Sequence, residues 1–581
     1  MNKNVIIPYL KKYKFYYIVG IITLFLVDYF NLYVPRYIGD IVDGLTDHIL
    51  DINGVFNILL HLAIVILSVA IGRILWRVFI FGAARKVENG IRNDMFKKLE
   101  TLSQNYFNEH KTGDLMAHFT NDLEALRMAI GPAIVTSFDA IVMTTLVLYQ
   151  MIFNIDFKLT IMVLIPMSTI AIGSIYCEGE FEKRFANKQR SFAKLSDKVQ
   201  EAITGERVIK AFTQEELQAK SFDETNKENL AVNMRVIKLM ATFQPTLEFV
   251  IGLTYVVAII YGGYLSLNNV ISVGQFIAFN QYLAMLVWPM IAFGDSITMV
   301  SQGRAAISRI NQIFKEIPDI KDAEDALEVN ELKGNIKLEH LTFTYGEEFE
   351  NALTDINLEI KQGETLALLG RTGEGKTTLV NLLLRLYDAT SGKIYLDEHE
   401  IKELSLDSIR SNISFVPQDS YLFSDTITNN VRFGKRDASQ AEVEKMCEIA
   451  CVHDNIIDFP MKYDTVVGER GVTLSGGQKQ RISIARALLK DSAILILDDA
   501  LSAVDTDTED KILANLKEMR KDKTTIMIAH RISTVKNADH ILVLDGSRVK
   551  EYGTFDELMA LNGEFKEMYD KQQLEKQLSM E

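Results

Sequence analysis

The sequence predicts an all-α membrane domain of six transmembrane helices with long cytoplasmic helical arms, followed by an α/β domain. Three observations carry this expectation. Six apolar stretches fall before residue 310, each near the ~20 residues that cross a ~30 Å hydrocarbon core. Positive charge alternates from loop to loop between them. Beyond residue 330, short apolar runs of strand length alternate with helical segments. A chain of 581 residues also exceeds what one ordinary core can fill. Its net charge of −15 is unevenly spread: up to Ile310 there are 29 Lys and Arg against 27 Asp and Glu, and beyond it 33 against 50. An acidic second half argues against a nucleic-acid partner, which calls for a basic face. With 48% hydrophobic residues and only 9 Pro, disordered and collagen-like classes are excluded as well.

The apolar stretches lie at about 16–36, 56–82, 132–153, 158–177, 243–267 and 275–300. The first is too long for a removable signal peptide and lacks a small-residue cleavage site before Pro35. The N-terminal segment carries Lys3, Lys11, Lys12 and Lys14, whereas Asp40 to Gly54 has four Asp and no Lys or Arg. Segment 83–131 holds 7 Lys and Arg and segment 177–240 holds 12, while Asn154–Phe157 and Leu267–Gly274 have none. Both termini and the two long connections are therefore expected on the cytoplasmic side. These connections read as helix, over Val87 to Leu102, Phe181 to Gln200 and Glu215 to Ala241, so the membrane helices should continue well below the bilayer. Breaks at Lys111–Asp114 and Ile203–Glu206 mark the expected tips of two helical hairpins. The expected divisions are a membrane domain over 1–314, an acidic linker over 315–330 and an α/β domain over 331–581.

In the α/β domain, strands are expected at Ile336–Phe343, Thr365–Leu369, Ile413–Val416, Ala493–Leu497, Thr525–Ile528 and Ile541–Leu544. Several are unbroken apolar runs, as in parallel strands buried on both faces. Directly after the second comes Gly370-Arg-Thr-Gly-Glu-Gly-Lys376-Thr377-Thr378, a G-x-x-x-x-G-K-[ST] loop. Glycines at Gly373 and Gly375 let backbone N–H groups approach phosphate oxygens, Lys376 neutralises charge, and Thr377 offers a hydroxyl to Mg²⁺. The strand Ala493–Leu497 ends in Asp498 and Asp499. Alone, such a pair more often caps the next element. With a phosphate loop in the same domain, Asp498 is assigned to the Mg²⁺ shell and Asp499 to the γ-phosphate.

Between them stands Leu474-Ser475-Gly476-Gly477-Gln478, which resembles the signature of ABC transporters. In that family it grips the γ-phosphate of ATP bound to an opposite domain, through the Ser hydroxyl, Gly N–H groups and a helix N-terminus. The remaining family motifs follow in order. Tyr345 resembles the aromatic that stacks on adenine, Gln418 the Q-loop, Ser502–Asp505 the D-loop and His530 the H-loop switch. By the same resemblance Arg371, Thr372, Gly373, Gly375, Lys376, Thr377 and Thr378 bind ATP, and Thr377, Gln418 and Asp498 hold Mg²⁺. The membrane half is similar to exporter-type ABC half-transporters. Phe107 with Thr112–Asp114 resembles their first coupling region, Glu201–Phe212 the second and Val467–Gly471 the X-loop. Six spans exclude the soluble ABC proteins of translation and DNA repair.

One position departs from the family, whose active members carry Glu after the metal-binding Asp. Asp499 is shorter by one methylene, which draws the carboxylate back by about 1 Å, and such a misplacement can cost about 10²-fold in rate. Because the family closes each ATP between two domains, the resemblance implies a second half-transporter as partner. An intact signature beside a weakened Asp499 favours a non-identical partner bearing Glu, as in heterodimeric bacterial multidrug exporters. The competing readings are a homodimeric lipid or peptide exporter, an importer on the same fold, and a mainly regulatory ATP-binding subunit.

Charged residues inside predicted spans are costly and face an interior or a cavity. The candidates are Asp28, Arg73, Arg77, Asp139, Glu248 and Asp295, of which Asp139, Glu248 and Asp295 lie deepest and are assigned to a substrate path. With Phe138, Phe249, Tyr282, Trp288 and Phe293 nearby, such a path would suit amphipathic cations, although these rings equally serve as helix packing or lipid contacts. Cys177, Cys447 and Cys451 form no disulfide framework, and no metal-ligand spacing surrounds them.

Overall fold

Polar residues set where the long helices begin. Asp51 caps Ile52–Trp76 by accepting from Gly54 N at 2.8 Å, and Asp156 caps Phe157–Thr204 through Leu159 N at 2.7 Å. Ser272 and Gln275 form a reciprocal capping box at the head of Val273–Lys315. The computed structural model describes residues 5–346, 349–468, 473–529 and 531–578, which divide into two units. The first joins the described residues up to Thr101 with His110–Glu316, and the second joins Leu102–Glu109 with the described residues from Ile317 onward.

In the first unit, helices Phe157–Thr204, Glu215–Leu267 and Val273–Lys315 contain 48, 53 and 43 residues. At ~1.5 Å per residue they run roughly 65 to 80 Å, more than twice the ~30 Å core, so they extend far outside a bilayer as the arms require. Five described helices are long and apolar enough to cross a membrane, and Phe157–Thr169 is the described apolar part of another. Ile64, Leu67, Ile71 and Ile74 stand exposed along Ile52–Trp76, the pattern of a lipid-facing surface. Between helices, Phe279, Leu283 and Leu286 pack with Val147, Met151, Leu159 and Val163.

The first span differs from the expected 16–36. Helix Lys14–Asn31 gives way at Leu32 to Tyr33–Thr46, because Pro35 has no N–H to donate to the Asn31 carbonyl four residues back. Leu32 O instead accepts from the buried Tyr282 hydroxyl at 2.8 Å. The helix also runs on to Thr46, into the expected outer loop, Asp40 to Gly54. Asp43 accepts from Gly274 N at 2.6 Å and Ser272 Oγ at 2.5 Å, so a residue that hydropathy assigns to a loop holds two helices together.

Below the apolar spans, buried charges tie the arms. Glu88, 5% exposed, meets Arg92 at 2.6 Å, Arg85 at 3.3 Å and Arg127 at 3.4 Å. Asp122, in a π-helical turn His118–Asp122, accepts from Arg309 Nε at 3.0 Å and Nη2 at 2.5 Å, with His118 Nδ1 at 2.6 Å. The first break opens earlier than Lys111–Asp114: helix Gly82–Glu100 ends, and a short helix Gln104–Glu109 belongs to the second unit. The second break is at Gly205, followed by the short helix Glu206–Ala211.

The second unit holds ten strands: β1 Ile336–Phe343, β2 Leu353–Ile360, β3 Thr365–Gly370, β4 Ser391–Leu396, β5 His399–Glu400, β6 Ile413–Val416, β7 Ile494–Asp498, β8 Thr524–Ile528, β9 His540–Asp545 and β10 Arg548–Gly553. One sheet has the order β10-β9-β3-β8-β7-β6, parallel except for β10. Every residue of β7 and β8 is buried, as expected for strands covered on both faces. The other sheet, β2-β1-β4-β5, is antiparallel and alternates between buried and exposed positions. β2, β4, β5 and β10 were not among the expected strands, since residues such as Glu359, Lys393 and Lys550 interrupt any apolar run.

Candidate functional site

The phosphate loop follows β3, a central strand whose buried residues fix where the loop leaves the sheet. Gly373 and Gly375 take φ of +93° and +87°, a left-handed region that other residues enter at a cost. A Cβ at Gly375 would also stand 2.4 Å from Ala352 O. The backbone is thereby folded around the start of helix Lys376–Leu383. Lys376 bends back over the loop, donating from Nζ to Gly370 O at 2.7 Å and Arg371 O at 2.8 Å. Burial draws its ammonium below the ordinary lysine range, opposed by the carboxylates of Asp498, Glu374 and Asp499. A phosphate entering the loop would exchange those two carbonyls for a full negative charge.

These groups face one cavity of about 750 Å³, lined by Tyr345, Thr372, Gly373, Gly375, Lys376, Thr377, Thr378, Gln418 and Asp498. Nine predicted residues, scattered from 345 to 498, therefore converge. The Tyr345 hydroxyl lies 3.0 Å from Thr378 Oγ1, and its ring stands edge-on to Phe343 and Tyr387. Asp498, at the end of β7, is 2% exposed. A volume of this size with a nested backbone, a lysine, three threonine hydroxyls and a buried carboxylate fits a magnesium nucleotide. Arg371 departs from the expectation: its side chain is exposed and pairs with Glu564 at 3.0 Å, leaving only its carbonyl in the loop.

Asp499 lies just beyond β7 with φ of +48°. It lines an adjoining, more open cavity with Gln418, Gly476, Gln480 and Ser502, so Gln418 borders both cavities. Its main chain is held on both sides. The N–H donates to Ile528 O at 3.1 Å, and the carbonyl accepts from Ser502 Oγ at 3.0 Å and Gln480 Nε2 at 3.3 Å.

Leu474 is buried, and Ser475 caps helix Gly476–Lys490 in a capping box with Gln478. A Cβ on Gly477 would approach Ala503 O to 2.7 Å, so the signature lies flush against the segment 502–505. Gln480, which the sequence reading did not single out, joins the two: besides Asp499 O it contacts Ser502 Oγ at 3.1 Å and accepts from Ala503 N at 3.0 Å. Glu509 was missed too. It is 2% exposed, pairs with Arg531 at 2.9 Å and accepts from Thr534, while Arg531 donates to Val504 O and Ser502 O at 3.3 Å each. Their place beside known motifs was the only available signal. His530 lies outside the described residues, as do Glu469, Arg470 and Gly471 of the X-loop.

Family models for the ABC transporter transmembrane region and for the ABC transporter match residues 17–290 and 353–502. The chain belongs to the ABC transporters. It is similar to a probable multidrug resistance ABC transporter ATP-binding/permease protein of Bacillus subtilis, YheI, 36% identical over 97% of both chains. It is also similar to an ATP-dependent lipid A-core flippase of Syntrophus aciditrophicus, 35% identical over 84% of this chain and 81% of that one. A bacterial Atm1-family ABC exporter solved with ATP bound shares the fold at a TM-score of 0.79, 24% identity, 97% of this chain and 98% of its own. This ABC transporter is thus an exporter half with an ATP-binding domain, an ATPase coupled to transport across a membrane.

The expected substrate-path residues are dispersed. Among the described residues no hydrogen bond or ion pair joins Asp139, Glu248 and Asp295. Glu248 is exposed and accepts from Gln244 at 3.3 Å, Asp295 is half-buried, and Asp139 buries Oδ1 without a partner. Tyr282 spends its hydroxyl on Leu32 and its ring in the core, so it is a packing residue. Phe249, Trp288 and Phe293 are exposed.

Proposed function

We propose that this chain is the weak-site half of a two-chain exporter that moves amphipathic drugs or lipophilic compounds out across the cytoplasmic membrane. The observation that carries this reading is Asp499, on a pinned backbone, beside an intact LSGGQ signature. ATP bound at Gly373–Thr378, with Tyr345 against adenine, meets the signature of the partner. The chain's own Ser475, Gly476, Gly477 and Gln478 complete the partner's site, where a Glu activates water. Thr377, Gln418 and Asp498 would hold Mg²⁺, which supplies charge neutralisation at the phosphates. Asp499 positions water weakly and His530 senses the γ-phosphate. Exposed Ile203, Val208 and Phe212 at the second arm tip support a missing partner surface. Asp139, Glu248 and Asp295, although no contact joins them, are assigned to the path of a cationic cargo, with both termini in the cytoplasm as the loop charges require.

ATPase activity of the purified chain, alone and with a Glu-bearing half, tests the asymmetry. The chain alone should turn over slowly, and Asp499→Glu should raise that rate by about 10²-fold if the carboxylate's reach is the whole deficit. Brisk turnover by the wild-type chain alone overturns the reading. The lipid A-core flippase relative favours a second reading, a homodimeric lipid exporter. Labelled-lipid translocation by the chain alone, without dye efflux, would select it.

A further inference from the structure

Asp28 lies within helix Lys14–Asn31, is 6% exposed, and has a buried Oδ2 without a hydrogen-bond partner. Asp139, on helix Pro132–Asn154, buries Oδ1 in the same condition. The helix of Asp28 packs against those of Asp139 and of Arg73, Ile52–Trp76. Asp28 lies within electrostatic reach of both Asp139 and Arg73, and Asp139 within reach of Arg73. Two further polar groups on these elements are engaged elsewhere. Arg77, in the adjoining π turn, stacks over the Trp76 ring at 5.5 Å. Thr136, one turn before Asp139, accepts from Ser296 Oγ at 2.8 Å.

The charge count decides what this cluster must hold. Two carboxylates lie within electrostatic reach of one guanidinium on packed membrane helices, where an uncompensated charge is costly and neighbouring like charges disfavour joint ionisation. The buried oxygens have no hydrogen-bond donor from the protein to stabilise a second negative charge. We infer that Asp28 and Asp139 share one proton, balanced by Arg73, and form an intramembrane proton-binding site where the first three membrane helices meet. The site belongs to three separate helices. A rearrangement that parts either carboxyl from Arg73, or opens it to water, therefore exchanges that proton with the solvent and links the cycle to pH. This inference is independent of the cargo and of the partner's identity.

The test is infrared spectroscopy of the full chain in lipid nanodiscs, following the carboxylic C=O stretch that only a protonated side chain gives and that shifts in D₂O. The wild type should show such a band at neutral pH, lost on raising the pH and unchanged when choline replaces sodium and potassium. Asp28→Asn and Asp139→Asn, nearly isosteric, should each abolish it, because the remaining carboxylate then pairs with Arg73. Arg73→Gln should enlarge it, since both carboxyls then stay neutral. A band absent from the wild type, or one that persists unchanged in both Asn variants, overturns the inference, as does a band that vanishes with sodium or potassium. The wild-type titration alone stays decisive if a variant fails to fold, and none of these readouts depends on ATP turnover or transport.

Discussion

Gly375 shows how much of the nucleotide site rests on one absent atom. Its φ of +87° and the 2.4 Å separation between a would-be Cβ and Ala352 O leave no room for a side chain. Gly375→Ala should cost about 1–2 kcal/mol for the left-handed backbone alone, with the overlap added to it. Equilibrium binding of a fluorescent ATP analogue should fall steeply while far-ultraviolet circular dichroism stays unchanged. Normal affinity in the variant would show that the loop reshapes at little cost. The motif spacing already pointed to Gly375, Lys376 and Thr377. It did not reveal that Lys376 spans two carbonyls of its own loop or that Arg371 turns to Glu564, because the direction of a flexible side chain is decided by groups remote in sequence.

Among elements, the helix Gly476–Lys490 and the segment 499–503 act as one piece, and Gln480 is the joint. Gln480→Ala removes three hydrogen bonds at a mostly buried position and should cost about 1–3 kcal/mol of local stability. Hydrogen exchange should quicken at Ser502 and Ala503 before it does in β7, and ATPase of the assembled transporter should fall with it. Unchanged protection at Ala503 would remove Gln480 from that role. The predicted strands coincide closely with β1, β3, β6, β7, β8 and β9, whose apolar runs are continuous or nearly so. The antiparallel sheet was less legible, since alternating strands such as β2 and β4 carry Glu and Lys on their outer faces and only pairing with β1 identifies them.

On the scale of the whole molecule, the two units are not two continuous stretches of the sequence. Residues Leu102–Glu109 come from the membrane half of the sequence, yet they belong to the nucleotide-binding unit. Asn108 Nδ2 donates to Tyr387 OH at 2.8 Å, and Ser103 Oγ donates to Asp319 at 3.1 Å. Asn108→Ala removes a hydrogen bond of about 1 kcal/mol, roughly a fivefold change in an equilibrium. Transport by the assembled exporter should therefore drop several-fold while its ATPase changes little. Equal losses in both would mean that the contact serves the nucleotide site itself. The sequence reading marked Phe107 in this region but located the break at Lys111, because Gln104–Glu109 looks helical whichever unit it joins.

By itself the sequence determined the order of the two units, the apolar spans, the phosphate loop, the signature and the unusual Asp499, since each is written in contiguous residues or fixed spacings. Only the tertiary structure decided which side chains meet. It brought Tyr345, Gln418 and Asp498 to one cavity, pinned Asp499 through Ile528 and Gln480, and packed the helix of Asp28 against that of Asp139. The physical reason is that local signals report backbone preference and burial. Hydrogen bonds and charge balance between residues far apart in the chain depend on packing, which brings those residues together.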